Sequence, residues 1–223
     1  MSPARSANGA RSADGTRPGA IRPVSPEVLA EHVTALVTAR PGRVRLVVDG
    51  APPTGPDRLA AAVVEALRPA GRAALHVRAA DFLRPASVRL EYGHRDEEMF
   101  LDGWLDEGAL RREVLDPAAP DGAGRVLPRL WDAERDRAYR EDYRDLGPSG
   151  VVVLSGSLLL GRGLPVDIAV HLRMGGAQLH RRTHADDLWT LPVFERYERE
   201  RDPGGAADVL VMADHPDRPA VRG

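Results

Sequence analysis

The chain has 223 residues, 43% of them hydrophobic, and a formal net charge of -2. That is enough apolar material for one folded domain, and the balanced charge gives no electrostatic reason to expect nucleic acid or a membrane surface as a partner. Cysteine is absent and all 31 cationic side chains are arginine, which excludes disulfides, thiolate catalysis, cysteine metal sites, Schiff-base chemistry and a phosphate-gripping lysine.

Residues 1–22 are small, polar and arginine-bearing, the composition of a disordered tail, and residues 23–223 read as a single domain. Ser25 is a good N-cap, with Pro26 at the first helical position and Glu27 in the first turn. Val28, Leu29, Val33, Leu36 and Val37 then recur at helical spacing up to Arg40, and Pro41-Gly42 stops the helix. Val44–Asp49 reads as a strand ending in Gly50, and 51–56 as a Pro/Gly loop. Leu59, Ala62, Val63, Ala66 and Leu67 predict a second helix, closed by Pro69-Ala70-Gly71. Ala74–Arg78 is the second strand.

Further buried strands are expected at Val151–Leu154, Asp167–Leu172 and Asp208–Met212, short and apolar as in a parallel sheet covered on both faces. Helical patterns lie at Asp106–Leu115, Gln178–Arg182 and Pro192–Arg201. The charged, irregular segment Arg125–Arg144 fits a hairpin or an insertion beside the site. Alternating strands and helices predict a doubly wound parallel sheet in three α/β/α layers. No apolar run is long enough to cross a bilayer, and the N-terminus has no apolar core of a signal peptide, so the expected location is cytoplasmic.

In such sheets ligands bind at the carboxyl ends of the strands, beside the first βα loop. Here that loop runs Asp49-Gly50-Ala51-Pro52-Pro53-Thr54-Gly55-Pro56-Asp57-Arg58. Gly50 and Gly55 have the spacing of a P-loop, but Pro56 and Asp57 stand where Lys and Ser/Thr belong. Pro52, Pro53 and Pro56 each delete an N–H that could cradle phosphate. Asp57 sets a negative charge at the helix start, and Arg58 restores a cation two positions late.

Other signals recur along the chain. They are Asp81-Phe82-Leu83-Arg84-Pro85, Arg89 with Tyr92-Gly93-His94, and Phe100–Leu115 running into Asp116-Pro117. Trp131-Asp132, the strand from Val151 to Gly156, Leu179-His180-Arg181-Arg182 and Ala207–Val211 with Pro216 follow. In this order and spacing the chain resembles the uridine kinase family of P-loop phosphotransferases, in its compact actinobacterial form. The resemblance spans roughly Arg43 to Val221 and implies the P-loop kinase fold.

It also implies a phosphate loop holding ATP, an Asp after the second strand as base, lid arginines on the transferred phosphoryl group and an acid organising magnesium. Carried onto this chain, the P-loop Lys falls on Pro56 and the magnesium-binding Ser/Thr on Asp57. The catalytic Asp falls on Ala80, with Asp81 one residue out of register, and the strand-end acid falls on Ser155. Gly50, Gly55, Asp57 and Arg58 would form the phosphate loop. Phe82, Arg84, Arg89, Tyr92, His94, Trp131 and Asp132 match substrate-contact positions, and Arg181 and Arg182 match the lid.

His180 and His184, with Asp186 and Asp187 nearby, have ligand spacing but read as an exposed polar lid, so no metal site is assigned. Asp96-Glu97-Glu98 reads as the start of a helix, and Gly161 and Gly163 as a turn. Trp104, Leu105, Leu110, Trp189 and Phe194 read as core. The leading expectation is a uridine kinase-like protein with a degenerate phosphate loop that binds a nucleoside, nucleotide or similar small polar ligand. An active kinase, with Arg58 replacing the lysine and Asp57 or Asp81 serving the metal or the base, is the alternative and alone requires ATP and Mg²⁺. The third reading is a scaffold for a protein partner.

Overall fold

The computed structural model describes residues 21–215 and 217–222. The tail expected over residues 1–22 falls mostly on residues 1–20, which lie outside the described residues, as does Pro216. Ile21 and Arg22, expected in the tail, instead belong to a strand, β1 (Ile21–Pro23).

Helix α1 (Pro26–Thr38) starts where its cap predicts, with Ser25 Oγ accepting from Val28 N at 3.3 Å. Strand β2 (Val44–Gly50) leads through the candidate loop into α2 (Pro56–Leu67), and β3 (Ala74–Arg78) follows. After a short turn at α3 (Ala86–Arg89), the helix expected over Asp106–Leu115 is divided. One α turn, α4 (Glu107–Leu110), is capped by the Asp106 carboxylate on Ala109 N at 2.9 Å and runs into a wider π turn at Arg111–Leu115. The charged segment holds two small antiparallel pairs. Strand β4 (Arg125–Val126) encloses the hairpin of β5 (Trp131–Asp132) and β6 (Arg137–Ala138), then pairs with β7 (Arg144–Asp145).

The chain then completes the sheet with β8 (Val151–Gly156) and β9 (Ile168–Arg173). Helices α5 (Gly176–Arg182), α6 (Leu191–Arg201) and α7 (Pro203–Ala206) precede β10 (Val209–Met212) and β11 (Ala220–Arg222).

The large sheet is ordered β1-β11-β10-β9-β2-β8-β3. The five strands from β10 to β3 are parallel, and β11 and β1 add an antiparallel edge. In order of appearance the parallel strands therefore lie 2-3-1-4-5, with β2 central. Side chains alternate between two cores. Val44, Leu46 and Val48 face α1 and α2 with Val151, Val153, Ile168 and Val170. Val47, Val152, Leu154 and Ala169 face the opposite layer with Phe82, Leu110, Leu115, Phe194 and Tyr197. This is the three-layer doubly wound sheet expected from sequence. It brings the carboxyl ends of β2, β8 and β9 side by side, where the chain's connections change direction and a ligand crevice forms.

Candidate functional site

The loop after β2 is tightly folded. A Cβ on Gly50 would stand 2.5 Å from Thr54 Oγ1 and 2.8 Å from the Leu172 carbonyl oxygen, so only glycine fits there. Pro52–Thr54 make a single 3-10 turn, and Gly55, at φ 80°, leads into α2. Thr54 N donates to the Ala51 carbonyl at 2.8 Å and Gly55 N to the Pro52 carbonyl at 3.1 Å. The Thr54 hydroxyl also donates to Ala51, at 2.7 Å. A phosphate nest needs successive N–H groups turned outward. In this loop Pro52, Pro53 and Pro56 have none, and those of Thr54 and Gly55 are used inside the turn.

Asp57 lies in the first turn of α2, where the helix's positive end favours a carboxylate. Its Oδ1 accepts from Ser155 Oγ at 2.5 Å, at the end of β8. Ser155 has one proton and gives it to Asp57, so His76 Nε2, 2.8 Å from the same Oγ, must itself carry a proton and donate. Burial pushes His76 below its ordinary value; Asp57 opposes this and Arg78 adds to it. The imidazole is therefore neutral at pH 7.

Asp57 and Ser155 border a cleft of about 380 Å³ that Phe100, Trp104 and Leu105 also line. Leu105 and Leu110, assigned to the core from sequence, are buried in it, while Trp104, also assigned to the core, is half-buried and lines this cleft beside Leu105. Phe100 meets Trp104, Trp189 and Phe194 edge-on, with centroids 5.0, 5.2 and 5.9 Å away. Two further clefts touch the loop. One of about 350 Å³ is bordered by Pro53, Gly55, Arg58 and Arg182. The other, about 450 Å³, is bordered by Thr54, His171, Arg173, Tyr197 and Glu198.

Behind the third cleft lies a charged network. Asp49, 0% exposed, accepts from His171 Nδ1 at 2.7 Å, Tyr197 Oη at 2.9 Å and Leu159 N at 2.8 Å. His171 Nε2 donates to Glu198 Oε1 at 2.7 Å, and Arg173 pairs with the other Glu198 oxygen at 2.6 Å. Burial alone would lower His171, but hydrogen bonds to Asp49 and Glu198 win and hold it up at about 9. Burial raises the Glu198 carboxyl, and His171 more than reverses this, so it stays below the usual range. Burial beside Asp49 pushes the Tyr197 phenol up. The network is thus carboxylate, imidazolium, carboxylate and guanidinium in alternation. Composition and loop motifs point to none of it. A signal does exist: Asp49 and His171 each interrupt an apolar strand, and a charge buried there needs a partner.

The residues carried over by resemblance are scattered. Asp81 is buried and bound by Arg78 at 2.9 and 3.0 Å; the cleft-lining neighbour is Ala80. Phe82 is fully buried in the core. Arg84 contributes its backbone N–H to the Trp104 carbonyl at 2.8 Å. Arg89 is buried, donating to the carbonyls of Arg84 and Ala133, with its guanidinium carbon 5.3 Å from the Trp104 centroid. Trp131 Nε1 donates to Asp136 at 3.1 Å, and Asp132 caps its own hairpin through Glu134 N, Arg135 N and the Arg135 side chain. Tyr92, 69% exposed, and His94 border none of the three clefts. Arg181 bonds Gln178 on its own helix, so of the two lid candidates only Arg182 reaches a cleft.

Solved structures share this architecture. A Bacillus stearothermophilus protein described as a possible uridine kinase is 18% identical, with TM-score 0.65, over 81% of this chain and 96% of its own. A Silicibacter sp. TM1040 protein described as a putative fructose transport system kinase is 21% identical, with TM-score 0.57, over 82% of this chain and 92% of its own. The chain has the fold of P-loop kinases. No family model and no curated protein matches it. Among the described residues no helix is long and apolar enough to cross a membrane.

Proposed function

We propose that this chain is a binding protein built on a P-loop kinase fold. It holds an unphosphorylated small polar ligand with a flat ring, a nucleoside being the example the resemblance supplies, in the cleft between Asp57 and Trp104. It transfers no phosphoryl group. The observation that carries this reading is the closed turn at Pro52–Thr54, whose remaining amides already donate to Ala51 and Pro52. The residues present do not fit ATP with magnesium: the loop has no lysine, no outward nest, and a carboxylate on the helix start that repels phosphate.

One observation favours an active phosphotransferase instead. The Arg58 guanidinium folds back over Gly55, its Nε 3.6 Å from where a Cβ would stand, and borders the same cleft as Arg182. Two guanidinium groups beside the loop could grip an anion without its amides.

Calorimetric titration separates the two. The full chain is titrated with ATP–Mg²⁺ and, separately, with uridine, cytidine and their monophosphates. The binding-protein reading expects heat from a nucleoside and none from ATP–Mg²⁺. Magnesium-dependent ATP binding lost in Arg58→Ala would overturn the binding-protein reading and favour the phosphotransferase.

A further inference from the structure

Resting on the reading of the 380 Å³ cleft as a site for a small polar ligand with a flat ring, we infer that among such ligands it prefers a cation, one whose ring carries a primary ammonium or amidinium group, over a neutral one such as a nucleoside. The cleft is charged in one sense only. Its lining carries two ionic side chains, Asp57 and Arg162. Arg162 is spent: its side chain is 5% exposed, pairs with Glu107 at 2.5 Å and Asp102 at 3.5 Å, and donates to the carbonyls of Leu101 and Leu158. His76 behind Ser155 is neutral, and Arg78 is held bidentately by Asp81.

Asp57, exposed at the positive start of α2, is left as the charged group of the lining with no ion-pair partner among the described residues. One of its oxygens takes the Ser155 proton, and the other has no partner among the described residues. An ammonium donates to such an oxygen in a short, charge-assisted bond. An anion meets repulsion from Asp57 and finds the Thr54 and Gly55 amides already used inside the turn, and a neutral alcohol gains the bond without the charge.

Phe100, Trp104, Leu83 and Leu105 line the same cleft. Since Arg89 already lies over the Trp104 ring, this lining contributes apolar contact to the ligand's ring, and selection by charge rests on Asp57.

The test uses three probes of nearly equal shape on the full chain at pH 7: 2-phenylethylamine, 2-phenylethanol and 3-phenylpropionate. Calorimetry is expected to rank the amine about tenfold above the alcohol, with the acid weakest. Asp57→Asn should bring amine and alcohol within about twofold of each other, and Asp57→Glu should keep the amine preference. Unchanged thermal unfolding of both variants shows that the fold is intact. Equal affinities, tighter binding of the acid, or no heat from any probe at millimolar concentration would overturn the inference. ATP–Mg²⁺ is titrated in parallel. A flat amine series with silent ATP removes the charge assignment alone, whereas a flat series with bound ATP removes the non-phosphorylating reading as well.

Discussion

Two clusters at the carboxyl ends of neighbouring strands are built from the same groups and end in opposite states. Asp49, His171 and Tyr197 combine a carboxylate, an imidazole and a hydroxyl. Asp57, His76 and Ser155 do the same. The first cluster also borders a cleft, but its Asp49 and His171 are buried and it has a second carboxylate, Glu198, so its histidine is held charged at about 9. The second opens on a cleft, has one carboxylate reached through a serine, and has Arg78 near its histidine, which burial leaves neutral. Burial of Asp49, His171 and Tyr197 and a second acid make the first a structural clamp between β2, β9 and α6. Opening leaves Asp57 available to a ligand. The type of side chain does not decide the role; the number of charges sharing the enclosure does.

The largest expected difference lies in stability. Asp49→Ala removes one of the two carboxylates on His171 and leaves the buried His171 Nδ1–H, Tyr197 hydroxyl and Leu159 N–H without their acceptor, a break in a buried charged network that costs about 3–5 kcal/mol. Asp57→Ala, at an exposed helix start, should cost under about 1 kcal/mol. Urea unfolding at pH 7 measures both, and equal losses would erase the contrast.

The pH dependence comes next and has opposite signs in the two clusters. A folded value near 9 against an ordinary 6.5 means that His171 contributes stability fully present below pH 6.5. That contribution is lost as pH rises through about 9, and amounts to about 3 kcal/mol at most. His76 is lowered, so its contribution is present above pH 6.5 and lost as pH falls through its folded value. Unfolding of His171→Gln should therefore lack the alkaline decline of the parent chain. A decline of equal size in the variant would show that another group causes it.

A smaller effect is expected at the bridge. Ser155→Ala leaves His76 Nε2–H without its acceptor and should cost about 1–2 kcal/mol, visible as a lowered urea midpoint. An unchanged midpoint would mean that water replaces the hydroxyl and that the relay has no structural weight.

Much of the fold is legible locally. The apolar spacing of α1 and α2, the Ser25 cap and the runs at β2, β8, β9 and β10 each point to the element formed. Strands β1 and β11 are not legible, because Ile21–Pro23 and Ala220–Arg222 become strands only by pairing across the length of the chain. The site was half written in the sequence. The prolines of the loop can be read there, whereas the internal bonding of Thr54 and Gly55 depends on a turn that only the fold reveals. Phe82 and Asp132 match substrate positions by residue type. In space one fills the core and the other caps a hairpin, because type does not say which way a side chain faces. Glu198 reaches His171 from another element, a contact that no local pattern contains.

The central claim is that the Thr54 and Gly55 amides of the loop are closed to phosphate, and the most direct measurement follows their resonances during addition of ATP–Mg²⁺. Unmoved resonances, protected from exchange before and after addition, are the predicted result. Large saturable downfield shifts of the Gly55 or Thr54 amide would show the turn opening onto phosphate and would contradict the account.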